Sequence, residues 1–181
     1  MKTTKVLLYC TKGKPCLYRS FSFLYRGPYG RWMTTKGTTA EAKNGYILAE
    51  CEVETEIRLN YGLERRSEFI LENTCLTMEQ LDAYLPKHKE YDSEDVYYAL
   101  HIKNLKELRT PLTFEKNCIY KAPQGFKQVL KAPQNMMRVY DRFGNKYILI
   151  SVRPEWLCKI LNGEKTIEVR KKVLKEMISD E

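Results

Sequence analysis

The strongest chemical signal in the sequence is a cluster of three charged side chains, Lys165, Glu168 and Arg170, in the run Gly163-Glu164-Lys165-Thr166-Ile167-Glu168-Val169-Arg170. In an extended chain, residues i and i+2 share a face and lie roughly 6 to 7 Å apart, so Glu168 and Arg170 can act on one object. Lysine and arginine only donate hydrogen bonds, and an ionised carboxylate only accepts them. A carboxylate flanked by two cations could therefore read the edge of a nucleobase. Alternatively, Glu168 could serve as a general base with Lys165 beside it, which makes these two the candidate catalytic pair. The plain structural alternative is an ion pair on a sheet rim.

Other candidates are weaker and more scattered. Lys12 and Lys14, in the turn Lys12-Gly13-Lys14-Pro15, and Arg153 are cations suited to phosphates, while Tyr9 and Trp156 offer aromatic surface. His101 lies inside an apolar run, where a hydrogen-bonded structural histidine is the commoner outcome. Glu50, Glu52, Glu54 and Glu56 alternate along one strand face and read as a solvated row rather than a metal site. The six cysteines (Cys10, Cys16, Cys51, Cys75, Cys118 and Cys158) include no C-x-x-C pair, which argues against a zinc ribbon or redox couple and for reduced, mostly buried thiols. Cys10 and Cys158 have no base nearby in sequence that would make them nucleophiles. No metal or other cofactor is expected.

Length and composition set the frame for these side chains. The chain of 181 residues fits one domain, and 43% hydrophobic with 30% charged residues suits a packed core rather than disorder. No apolar run approaches the roughly 20 residues that cross a bilayer, and Val6-Leu7-Leu8-Tyr9 is too short for a signal-peptide core, so a cytoplasmic protein with no membrane contact is expected. The formal charge of +8 is unevenly placed: residues 1–44 carry a net +8 and residues 45–100 a net −8. Such a layout fits one basic face that attracts a polyanion.

The elements that must position the candidates are mostly strands. Lys5 to Thr11 reads as a strand buried on both faces, ending in the basic turn. Residues 20–45 carry scattered glycines without a period and read as an inserted loop or hairpin. Ile47, Ala49, Cys51, Val53 and Ile57 alternate with the glutamate row as a half-buried strand. Phe69 to Leu71 suggests another strand, and Thr77-Met78-Glu79-Gln80 is a capping box opening a short helix that ends near Leu85. Tyr97 to Ile102 should be a strand, continuing to Leu108 past a bulge or turn at Asn104 and stopped by Pro111. Met136 to Tyr140 and Tyr147 to Val152 read as strands joined by the turn residues 141–146. Pro154 then opens a helix with an apolar stripe of Trp156, Leu157, Ile160 and Leu161, Asn162-Gly163 stops it, and Lys165 to Arg170 returns as a strand. The matching segments Lys121-Ala122-Pro123-Gln124 and Lys131-Ala132-Pro133-Gln134 are too short to signal a repeat protein. The expected fold is mixed α+β, a small barrel with two or three short helices.

The pattern G-x-K-x-x-E-x-R at Gly163 to Arg170, preceded by Ile148 to Val152 and Pro154-Glu155-Trp156, resembles the ASCH domain family, whose fold is a PUA-like β-barrel. Lys5 to Pro15 resembles the strand and basic turn that ordinarily follow this motif in the phage and prophage members. Tyr98 to Asn104 and the region from Lys131 onward resemble later parts of those proteins. The resemblance thus implies a circularly permuted order, with 141–146 as the linker at the junction, Lys5 to Thr11 close to Lys165 to Arg170, and the two termini together. It also implies an RNA- or nucleotide-binding module, with Lys165, Glu168, Arg170, Lys12, Lys14, Arg153, Tyr9 and Trp156 as ligand-binding residues. A few ASCH relatives are amidohydrolases acting on acylated cytidine, or ribonucleases. Glu168 stands where the amidohydrolases carry a nucleophilic threonine, so a threonine mechanism does not transfer. The leading expectation is a monomeric, regulatory binding protein for RNA, a nucleotide or a nucleoside. A hydrolase is the alternative, and a regulator that binds a host protein is the second alternative.

Overall fold

The uninterrupted apolar run near the amino terminus becomes the centre of a sheet. Val6, Leu7 and Leu8 are all buried in β1 (Thr3–Cys10), as a strand between two apolar layers requires. The structure, a computed structural model, describes residues 3–20, 24–26, 32–34, 38–59, 68–84, 97–113, 136–141, 143–170, 173, 174 and 177. Within these, β2 (Leu17–Ser20), β3 (Leu24–Arg26), β4 (Trp32–Thr34) and β5 (Thr38–Glu41) precede the long β6 (Tyr46–Leu59). Two short helices, α1 (Glu68–Thr74) and α2 (Met78–Tyr84), lead to β7 (Tyr97–Thr113). The chain then continues through β8 (Met136–Tyr140), β9 (Lys146–Val152), α3 (Pro154–Leu161) and β10 (Ile167–Arg170).

The fold is mixed α+β, dominated by a six-stranded sheet of order β10-β7-β6-β1-β9-β8 that curls into a half-barrel. Every ladder is antiparallel except β1 with β9, which pair in parallel from Val6 opposite Ile148 to Cys10 opposite Val152. β9 therefore covers one edge of the β7-β6-β1 unit, α3 crosses the sheet, and β10 covers the other edge. Leu157, Ile160 and Leu161 of α3 pack against Val6, Leu8 and Cys10 of β1 and Ile148, Ile150 and Val152 of β9 in the main core. Each large aliphatic side chain removed from water there contributes about 1.5 to 3 kcal/mol. On the other face, Leu7, Ile47, Val139 and Leu149 form a second layer. A third cluster joins Ile70 and Leu81 of the short helices to Ala99, Ile167 and Val169.

Local chemistry explains the element ends. Thr77 Oγ1 accepts from Gln80 N at 3.2 Å and Gln80 Oε1 accepts from Thr77 N at 3.0 Å, the reciprocal capping box that starts α2. At the end of α3, Gly163 has φ +76°, its N–H bonds Ile160 O at 2.9 Å, and Glu164 N bonds Lys159 O at 2.9 Å. That is a Schellman stop, and it turns the chain sharply into β10. Between β8 and β9, Asp141 Oδ1 accepts from the backbone N–H groups of Phe143 and Asn145 at 2.9 and 2.8 Å.

Several expectations change. Phe69 to Leu71 belongs to helix α1, because it presents Ile70 and Thr74 inward one turn apart while Asn73 Nδ2 bonds Phe69 O at 2.8 Å. Pro111 does not stop β7. The pairing with β6 jumps from Ala49 opposite Glu107 to Ile47 opposite Leu112, so Pro111 falls in a bulged stretch where the ladder asks for no N–H. Asn104, with φ +49°, supplies the bulge-type backbone anticipated there. Between residues 20 and 45, β2 pairs antiparallel with β5 and β3 with β4, while residues 21–23, 27–31 and 35–37 lie outside the described residues. β1 and β10 share one sheet but are not adjacent, since β6 and β7 lie between them. The Lys-Ala-Pro-Gln segments and both termini lie outside the described residues.

Candidate functional site

The curl of the sheet brings the ends of β1, β9 and β10 to one cleft of about 510 Å³, with α3 and the start of α2 completing its wall. Five of the residues singled out in the sequence line it: Lys165, Glu168, Arg170, Arg153 and Trp156. Its size falls within the range of small-molecule sites, about 300 to 1,000 Å³.

Lys165 follows the glycine stop of α3, and the turn there drives its side chain inward to 3% exposure. Its Nζ donates to Thr74 O at 2.9 Å and Ile167 O at 2.8 Å, and lies 3.3 Å from Glu168 Oε2. An ammonium has three protons, and these three acceptors use them all. The corner thus fixes the lysine, where its place in the sequence left its direction open. Burial pushes the Lys165 ammonium below the ordinary lysine range, against the opposing pull of the Glu168 charge. The Trp156 ring lies 5.4 Å from the same Nζ and 5.0 Å from Lys159 Nζ, close enough for cation-π attraction.

The surrounding bonds make Lys165 a splice between α1 and β10. Thr166 N bonds Asn73 O at 2.9 Å, Thr166 Oγ1 bonds Asn73 Oδ1 at 2.6 Å, and Cys75 Sγ donates to Glu164 O at 3.2 Å. The carboxyl end of α1 therefore supplies acceptors to the motif that no side-chain pattern advertises.

Arg170, 7% exposed, spans the cleft: Nη2 donates to Ser151 O at 2.7 Å, tying the edge strand β10 to β9. Its Nε lies 2.8 Å from Glu168 Oε1, but the N–H is not aligned with that oxygen and has no hydrogen-bond acceptor. Glu168 thus sits between two cations, its side chain 15% exposed.

No protein-family model, curated protein or solved structure matches the chain.

The remaining candidates are placed as follows. Arg153 is largely exposed and lies 4.0 Å from Glu155. Lys12 and Lys14 are exposed in the turn after Thr11, which itself lines the cleft. Gly13 holds that turn against the start of α3, since a Cβ there would meet Pro154 Cδ at 2.7 Å. The two lysines therefore adjoin the cleft without lining it. Tyr9 packs half-buried against the second core layer with Leu7 and Leu149. His101 pairs across the sheet with Glu54 and Ile167 and is not among the lining residues. Glu54 pairs with Lys103, Glu50 lies 3.7 Å from Lys106, and Glu52 accepts from Asn104 at 2.6 Å, so these three carboxylates are met by donors of β7 across the ladder. Among the described residues no group of three or more His, Cys, Asp and Glu is placed to hold a metal ion. Burial pushes the Cys10 thiol up to about 11 and raises Cys158 further, the reverse of an activated nucleophile. No helix among the described residues is long and apolar enough to cross a membrane.

Thr11, Gln80 and the Ser151 carbonyl are cleft components that the sequence reading missed. Gln80 was visible only as a capping residue, and backbone acceptors leave no trace in side-chain patterns.

Proposed function

We propose that the protein is an ASCH-type, PUA-like domain that binds RNA or a nucleotide in this cleft, as a cytoplasmic, monomeric regulatory module. The observation that carries the reading is the buried Nε–H of Arg170, an unsatisfied donor beside the Glu168 carboxylate in a cleft of ligand size. A half-satisfied buried polar pair costs free energy unless something completes it, and a ligand edge would do so. Arg153, exposed in the cleft lining, and the adjoining Lys12 and Lys14 turn supply cations where phosphates would emerge.

Hydrolysis finds less support. An amine nucleophile needs a free lone pair, whereas the Lys165 ammonium has all three donors engaged, by Thr74 O, Ile167 O and Glu168.

Fluorescence anisotropy with a labelled single-stranded RNA tests the proposal. Affinity should fall by roughly 0.7 log unit per log unit of salt for each contacted phosphate, and replacing Lys12 and Lys14 by alanine should flatten that slope. Absence of binding to RNA and to nucleotides would refute the reading and leave a host-protein partner ahead.

A further inference from the structure

The charge pattern of the cleft specifies more than a class of ligand. Arg170 Nε–H requires an acceptor, and it is held beside Glu168, whose oxygens accept only. A carboxylate offers about four lone-pair sites, and Lys165 occupies one side of Oε2 at 3.3 Å, so capacity remains on both oxygens. The group that completes this pair therefore presents one acceptor next to two donors along a single edge.

We propose that the cleft takes a guanine base edge-first, with O6 accepting from Arg170 and N1–H and N2–H donating to Glu168. This rests on the nucleotide-binding reading given above. Guanine alone among the four common bases places an acceptor and two donors in a row. Adenine and cytosine offer one amino donor followed by a ring acceptor, and uracil one donor between two acceptors. Each of these sets an acceptor against a carboxylate oxygen, where like partial charges repel and neither group is satisfied.

The same arrangement orients the ligand. A phosphate deep in the cleft would meet Glu168, whereas at the mouth it meets the exposed Arg153 and the adjoining Lys12 and Lys14 turn. The base enters and the phosphate stays at the mouth. Trp156 supplies an aromatic wall, and Arg170, tied to Ser151 O at 2.7 Å, cannot swing away. Lys165 acts through Glu168: its three bonds leave it nothing for the ligand, so it is a positioning residue.

The test is isothermal titration calorimetry on the full chain with guanosine, adenosine, cytidine, uridine, guanosine 5′-monophosphate, ribose 5-phosphate and a uridine oligoribonucleotide carrying one central guanosine. Guanosine should bind about tenfold or more tightly than the other nucleosides, the scale of a good bidentate contact. Ribose 5-phosphate should not compete with it. The tighter of the monophosphate and the oligonucleotide identifies whether the base comes free or in RNA.

Glu168→Gln, with folding checked by its melting temperature, should lower guanosine affinity about tenfold and narrow the gap to adenosine, because the amide replaces one acceptor by a donor. Arg170→Lys gives a second variant that keeps the charge and loses the planar fork. Equal affinity for another nucleoside, or competition by ribose 5-phosphate, would overturn the guanine assignment while leaving nucleotide binding in place. Failure of every nucleoside, nucleotide and RNA to bind would overturn both.

Discussion

Replacing Lys165 by methionine removes the donor shared by Thr74 O and Ile167 O, at 2.9 and 2.8 Å, from a site where the lysine is 3% exposed. A buried acceptor stripped of its donor costs about 1 to 3 kcal/mol. Removing one partner of a buried ion pair costs about 3 to 5 kcal/mol in total. Glu168 keeps Arg170 at 2.8 Å, which places the expected loss near the lower end, at about 3 kcal/mol. For a chain of this size that corresponds to a melting temperature lower by about 6 to 12 °C.

The pH dependence gives an independent readout. Burial depresses the folded-state Lys165 pKa below its unfolded value of about 10.4, so the unfolded chain binds more protons in that window. The lysine's contribution to stability therefore rises with pH toward about 10.4, and is smallest below its folded pKa. Urea titrations of the wild type and Lys165→Met from pH 7 to 10, subtracted, should show the gap widening with pH. A variant as stable as the wild type, or a gap that narrows, would refute the argument that this ammonium splices α1 to β10.

Cys51, 4% exposed and pushed up to about 12 by burial, should cost the fold about 1.4 kcal/mol between pH 8 and pH 10, because the unfolded thiol loses its proton first. Cys51→Ala should remove that part of the alkaline loss in denaturant titrations. Tyr18→Phe deletes the 2.8 Å bond to Glu107, leaving the Ser20 hydroxyl as that carboxylate's donor among the described residues, and should lower stability by about 1.5 kcal/mol or more in the same assay. Gly13→Ala forces a methyl to within 2.7 Å of the Pro154 ring, and a loss of about 1 to 3 kcal/mol is expected by thermal melting.

Much of the architecture follows from patterns that report a single residue's surroundings. The alternation from Ile47, the capping box at Thr77, the proline and glycine around α3 and the turn after Tyr140 each carry their own local reason, and each lies where the sequence puts it. Phe69 to Leu71 fails because a three-residue apolar run has no period, and only the docking of Ile70 against Ala99 and Ile167 decides for helix. Pro111 fails because the bulge opposite Ile47 and Ala49 depends on strand pairing, which no single strand encodes. In the site, Glu168 and Arg170 share a face as the spacing requires. The direction of Lys165 depends on a helix end some ninety residues earlier, at Thr74. The nearness of Thr11, Ser151 and Arg170 likewise needs the curl of the whole sheet.

The clasp formed by β9, α3 and β10 has a consequence for the chain as it is synthesised. Until residues 146–170 emerge, β1 and β7 each leave one side of their backbone without a partner strand, with Val6, Leu7 and Leu8 awaiting their cover. An exposed apolar strand edge is a template for joining other chains. Contacts between residues as distant in sequence as Val6 and Ile148 also slow the search for the native state. A nascent chain halted before residue 146 is therefore a hazard to its neighbours, and a holding chaperone near the ribosome would protect it until the last strands arrive.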